Sequence, residues 1–214
     1  MKLLAGDLGG TKTLLGLYET DEAGLRLIHE ARFESAAFPG LPAMIAAFLS
    51  QVPGTPAASI AALAIGVAGP VHAEGDDDQR ARITNLTYSV ESASLRALGF
   101  PRVRLVNDFY TVAAAAAGYR LGQLPAADLL TLQEGQPVPG GALAVLGAGT
   151  GLGEALVSLS SGRPVILPGE GGHSDFAPGD DVEDGLLRAL RQKYGHVSWE
   201  RLVCGAGLLA TATF

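Results

Sequence analysis

The chain has 214 residues, 48% of them hydrophobic and 17% charged, and 22 Asp and Glu against 15 Lys and Arg leave a formal net charge of −7. A composition this apolar and weakly charged excludes intrinsic disorder, and the acidic balance argues against a basic nucleic-acid binder. A single cysteine, Cys204, excludes an internal disulfide or a cysteine-based zinc cluster and suits a reducing compartment.

Residues 2–6 read as a short apolar strand ending in Asp7-Leu8-Gly9-Gly10-Thr11, and apolar residues resume over 13–18. The pattern predicts a strand, a Gly-rich turn and a second strand. Asp7 interrupts the N-terminal apolar run too early for a signal peptide. The longest apolar run, 61–71, contains Gly66, Gly69 and Pro70 and falls short of a membrane span. The expectation is a soluble, cytoplasmic protein that engages neither membrane nor nucleic acid. Residues 25–33 alternate as a third strand. Pro42 marks a helix start, with Met44, Ile45, Phe48 and Leu49 as its apolar face. Residues 61–67 read as a buried strand, 74–80 as a solvated loop, and 90–98 as a helix with Ser89 as its cap. A strand over 103–106 leads into an Ala-rich helix, 108–117, with Gly118 placed to end it.

Residues 133–141 read as a linker, after which the opening pattern recurs. An apolar strand at 143–146 runs into Gly147-Ala148-Gly149-Thr150-Gly151-Leu152-Gly153, followed by a strand at 155–159. Gly10-Thr11 and Gly149-Thr150 align at an offset of 139 residues, which reads as a degenerate internal repeat. A third strand is expected at 165–167. Asp180 or Asp181 then caps a helix with the stripe Leu186, Leu187, Leu190 and Tyr194, ended by Gly195.

Adjacent glycines let backbone N–H groups approach a phosphate closely. Thr11 adds a hydroxyl, Lys12 a charge, and Asp7 a carboxylate able to hold Mg²⁺ through water. One such turn is an ordinary β-hairpin; two of them facing each other could clamp a nucleotide triphosphate. A Walker A loop is excluded because the local triplet is Thr11-Lys12-Thr13. Gly205-Ala206-Gly207-Leu208-Leu209-Ala210 fits a loose dinucleotide fingerprint, but only four residues follow it, too few for a βαβ unit. Asn107-Asp108 ends a strand where a helix begins. Either residue is a plain N-cap, or Asp108 is a general base favoured by the helix dipole. Glu170 and His173 flank Gly171-Gly172, which argues against a helical metal pair. The two side chains suit a polyol, or are merely solvated. His196 reads as a capping or loop residue, and Glu200 is either an exposed helix residue or part of the same pocket.

These segments, with Pro168-Gly169-Glu170-Gly171-Gly172-His173-Ser174-Asp175-Phe176-Ala177-Pro178 and Gly195-His196-Val197-Ser198-Trp199-Glu200-Arg201, closely resemble the bacterial glucokinases of the non-zinc group from residue 3 to about residue 209. The resemblance implies an α/β, actin-like ATPase (ribonuclease H-like) fold. Residues 1–118 would form a complete N-terminal domain and 119–214 an incomplete larger one, because family members run further. It implies ATP-dependent phosphorylation of D-glucose at the 6-hydroxyl. Asp108 would be the catalytic base and also contact glucose with Asn107, Glu170, His173 and Glu200. Gly6, Asp7, Leu8, Gly9, Gly10, Thr11, Gly149 and Thr150 would contact ATP, with Asp7 near Mg²⁺. Family members are often homodimeric. Tyr88 stands where the family usually has Trp, and Glu154 where a small apolar residue is expected. The alternative reading is an inactive or sugar-binding-only fragment. An actin-like or chaperone-like ATPase shares both hairpins but leaves the Glu170–His173 loop unexplained.

Overall fold

Alternating apolar residues open the chain as three antiparallel strands, β1 (Lys2–Leu8), β2 (Lys12–Asp21) and β3 (Gly24–Glu34). The computed structural model describes residues 1–21, 24–74, 78–83, 86–160 and 163–214. The chain divides into two units, Met1–Thr111 and Val112–Phe214.

In the first unit, α1 (Leu41–Ser50) carries Pro42 in its first turn, where no backbone N–H is needed, and buries Leu41, Met44, Ile45 and Phe48. The strand that follows, β4 (Ile60–Val67), lies parallel to β1 on the edge that β2 leaves free. β8 (Val103–Asn107) adds in parallel to β4, giving the order β3-β2-β1-β4-β8. Leu4, Leu8, Leu15, Leu17, Phe48, Leu63 and Ile65 close the core. Each such side chain contributes about 1.5–3 kcal/mol on burial.

Residues 71–91 depart from expectation. In place of a solvated loop and the start of a helix, they form a small antiparallel sheet of β5 (Val71–Glu74), β6 (Asp78–Arg82) and β7 (Ser89–Glu91). The acidic turn at 75–77 lies outside the described residues, as do Thr84 and Asn85. Polar residues form these strands because their partners lie across the ladder. Arg80 pairs with Glu74 at 3.4 Å and with Glu91 at 2.8 Å. Gln79 uses its side-chain amide like a strand backbone, donating to Leu105 O and accepting from Leu105 N–H, both at 2.9 Å. Val90 points into the core from β7, so the helix α2 is confined to Ser92–Arg96.

The helix α3 (Asp108–Arg120) runs through Gly118. The side chain of Leu124 folds back to 3.1 Å from where a Cβ on Gly118 would sit, and Gln123 N–H bonds Gly118 O at 2.9 Å. The stop is Gly122, whose φ of +70° is the left-handed conformation that favours glycine after a helix.

The second unit holds β9 (Leu143–Ala148), β10 (Leu152–Ser158) and β11 (Val165–Gly169), antiparallel in the order β11-β10-β9. The helix α4 (Asp181–Tyr194) starts at Asp180, whose carboxylate accepts from Glu183 N–H at 2.8 Å. Acids in its first turn and Arg191 and Lys193 in its last complement the helix dipole. The helix packs Leu186, Leu187 and Leu190 with Phe176, Val197 and Leu202. α5 (Gly205–Ala212) follows. One face of this sheet leaves Leu146, Leu156 and Leu167 more than half exposed. Among the described residues, no helix is long and apolar enough to cross a membrane.

Candidate functional site

β1, β4 and β8 are parallel, and their carboxyl ends stand in line: Leu8 is level with Val67, and Val67 with Asn107. Ligands of open α/β sheets bind outside such ends. Gly66 on the middle strand opens room for the start of α3. A Cβ there would lie 3.0 Å from the Thr111 methyl and 3.6 Å from Asp108 Cα. Asp108 therefore sits close to Asp7 at the end of β1. The Asp7 carboxyl is held above the usual aspartate range, first by partial desolvation and second by the charge of Asp108. Its surface nevertheless stays open to solvent.

Asn107 and Asp108 both cap the helix. Asn107 Oδ1 accepts from Phe109 N–H at 3.0 Å and Asp108 Oδ1 accepts from the same group at 2.8 Å, while Asn107 Nδ2 donates to Gly69 O at 3.3 Å. Asp108 Oδ2 has no hydrogen-bond partner among the described residues. The capping reading thus uses only one oxygen of Asp108.

The first Gly/Thr turn closes with Gly9 N–H on Lys12 O at 3.0 Å. Among the described residues, the N–H groups of Gly10 and Thr11 have no protein acceptor. Gly6 has a different reason to be glycine. A Cβ there would lie 2.6 Å from the Leu15 side chain and 2.7 Å from Ile65, so its place is set by packing. Ser35, which no sequence motif marks, anchors this turn. It is fully buried; its N–H donates to Thr11 O and its hydroxyl to Gly9 O, both at 2.8 Å, and Thr13 Oγ1 lies 2.9 Å from that hydroxyl. A serine immediately after a half-exposed strand carries no motif, so only the fold reveals it.

The second turn closes with Gly149 N–H on Gly151 O at 2.8 Å, and Gly205 N–H reaches Gly149 O at 2.9 Å. The N–H groups of Thr150 and Gly151 again have no acceptor among the described residues. Leu152 N–H donates to Glu200 Oε2 at 3.0 Å. Glu200 lies in a 3-10 turn, Trp199–Arg201, that is held by Trp199 N–H on Ser174 O at 3.1 Å and by the edge-to-face contact of Trp199 with Phe176.

Glu170 and His173 bracket the 3-10 turn Gly171–His173 that follows β11. β10 crowds both glycines, at Gly171 with a side chain that can move and at Gly172 with backbone that cannot. A Cβ on Gly171 would strike the Glu154 carboxylate, and one on Gly172 would lie 2.5 Å from Leu152 O. The turn brings three predicted side chains together: His173 lies 3.8 Å from Glu170 through Nε2 and 3.8 Å from Glu200 through Nδ1. Glu170 is almost fully open, whereas Glu200 is largely covered. A cleft of about 610 Å³ beside them is lined by Leu146, Leu152, Glu154, Ser174 and Trp199. His196 instead pairs with Asp175 at 2.5 Å on the surface. Among the described residues, no three His, Cys, Asp or Glu side chains are grouped to hold a metal ion.

A family model described as glucokinase matches residues 4–214. The chain belongs to the glucokinase family. The glucokinase of Nostoc punctiforme is 40% identical over 216 residues, which cover 99% of this chain and 60% of that protein. Among solved structures, the glucokinase of an Antarctic psychrotroph superimposes with a TM-score of 0.79 at 28% identity, over 98% of this chain and 62% of that one. A Balamuthia mandrillaris glucokinase in complex with glucose gives 0.65 at 21% identity, over 99% and 62%. These neighbours give the chain the actin-like ATPase fold of the glucokinases. The chain spans about 60% of the length of the curated relatives it matches.

Proposed function

We propose that this glucokinase-family chain carries the sugar-binding and catalytic residues of an enzyme that transfers the γ-phosphoryl group of ATP to the 6-hydroxyl of D-glucose. The observation that carries this reading is the convergence of Glu170, His173 and Glu200, with His173 3.8 Å from each acid. A solvated Gly-rich loop has no need to recruit a largely covered glutamate from a distant segment. Two carboxylates and an imidazole offer acceptors and a donor to neighbouring sugar hydroxyls. The glucose held by the Balamuthia relative is consistent with that chemistry.

Asp108 is the base in this reading. Its Oδ1 is fixed on Phe109 N–H, which leaves Oδ2 to accept the proton of the attacking hydroxyl. Asn107, anchored on Gly69 O, orients the same substrate. The N–H pairs of Gly10 and Thr11 and of Thr150 and Gly151 are donors for phosphate oxygens. Asp7 fits a hydrated Mg²⁺. The repulsion between it and Asp108 marks an anionic spot that a cation relieves, and Mg²⁺ needs only one or two carboxylates when phosphate and water complete its shell. When bound, the ion would neutralise phosphate charge.

The test is glucose calorimetry on the chain, followed by a coupled glucose 6-phosphate assay with Asp108→Asn alongside. Loss of the base lowers kcat about 10²–10⁴-fold; an unchanged kcat removes Asp108 from the role. Sugar binding with no turnover by the unmodified chain would favour the sugar-binding-only alternative.

A further inference from the structure

Glu200 faces two ways. Its Oε2 accepts from the backbone N–H of Leu152, the residue that leaves the second Gly/Thr turn, at 3.0 Å. Its Oε1 lies 3.8 Å from His173 Nδ1 on the loop that bears Glu170. The carboxylate also fills the space beside Gly151, where any Cβ would collide with it. Gly151 does not adopt a left-handed φ. Its lack of a side chain therefore serves the carboxylate and not the turn's own backbone.

We propose that Glu200, besides facing the sugar, couples the second Gly/Thr turn to the sugar loop. The proposal rests on the reading of Glu170, His173 and Glu200 as sugar-facing groups. A hydroxyl that engages Oε1 immobilises the carboxylate whose other oxygen holds the turn, so occupancy of the loop steadies the bond to Leu152. Any such coupling is reciprocal: whatever fixes the turn also favours the sugar. A residue classed with the phosphate turn, Gly151, thereby acquires an influence on sugar affinity without touching sugar.

The experiment uses the whole chain, with D-glucose as the probe. Calorimetry gives the glucose Kd for the unmodified chain, Gly151→Ala and Glu200→Gln, and hydrogen exchange is followed at the Leu152 amide. The Cβ of Gly151→Ala displaces the carboxylate. Glucose then binds about tenfold or more weakly, as expected on losing a hydrogen bond to a charged acceptor, and the Leu152 amide loses protection. Glu200→Gln keeps an acceptor for Leu152, so protection is retained while glucose affinity falls. In the unmodified chain, saturating glucose slows exchange at Leu152 severalfold and leaves Leu105, held by Gln79, unchanged. Circular dichroism checks that the variants fold, and the last measurement needs no variant. Glucose binding by Gly151→Ala equal to that of the unmodified chain, or no effect of glucose at Leu152, overturns the coupling and leaves the sugar site standing. No glucose binding by the unmodified chain overturns the sugar reading and the coupling with it.

Discussion

In the first unit the Gly/Thr turn leaves a five-stranded sheet whose inner strands have large aliphatic residues at essentially zero exposure. In the second the corresponding turn leaves a three-stranded sheet that shows Leu146, Leu156 and Leu167 to solvent. Each turn closes with its own backbone bond, Gly9 N–H on Lys12 O at 3.0 Å in the first and Gly149 N–H on Gly151 O at 2.8 Å, one residue shorter, in the second. Their anchors differ in kind. Ser35 holds the first from inside the core, through a hydroxyl that no ligand reaches. Glu200 holds the second through a carboxylate that also faces His173. One turn is thus anchored by a buried neutral group and the other by a charged group at a cleft.

The contrast is open to direct tests. Phe48→Ala empties a fully buried site and is expected to cost about 3–5 kcal/mol in urea denaturation. Leu156→Ala, on the open face, should stay within about 0.5 kcal/mol. A large cost at Leu156 would mean that this face is covered in solution, and the contrast would break. Ser35→Ala leaves Gly9 O and the buried Thr13 hydroxyl without their partner, so a loss of about 1–3 kcal/mol is expected. A neutral result would move the anchor elsewhere.

A modest, pH-dependent effect is expected at Asp7. Its folded pKa is raised, so between the ordinary aspartate value and the raised one the folded state binds more protons than the unfolded state. Stability from this group is therefore greatest below the ordinary value and falls as pH rises through the raised one. Asp7→Asn should raise the denaturation midpoint modestly at neutral pH, and the gain should shrink as pH falls toward about 4. A gain that grows on acidification would reverse the assignment.

Much of the frame was legible in the sequence because period and punctuation agreed there. β1 to β4, α1, β8, α4 and the second hairpin all follow apolar alternation or a stripe bounded by Gly, Pro or Asp. The small sheet of β5, β6 and β7 was not legible. Among its described residues only Ala81 and Val90, paired across β6 and β7, are buried in the core, and its other links, Arg80 between Glu74 and Glu91 and Gln79 on the backbone of Leu105, leave no apolar period. Gly118 misled for a related reason: its small size makes room for Leu124, and the helix stops at Gly122. Asp7, Asn107, Asp108, Glu170 and His173 could be singled out because each sits where a strand, turn or helix changes. Ser35 and the bond from Leu152 to Glu200 could not. Both depend on which segments meet after folding.

The sheet order has a consequence for how the chain is made. β1 is made before its partners, yet its second edge waits for β4, which begins at Ile60, and β4 waits for β8, which begins at Val103. Such non-local parallel pairing is intrinsically slow. The β9–β10 hairpin, by contrast, joins near neighbours in sequence. Pulse-labelled refolding should accordingly show β10 amides protected before those of β4; the opposite order would contradict this. Asp108 is the first residue after the last strand of the unit. The proposed base therefore comes into place only when the unit's main sheet has closed, and a half-made chain exposes a strand edge long before it can position that carboxylate.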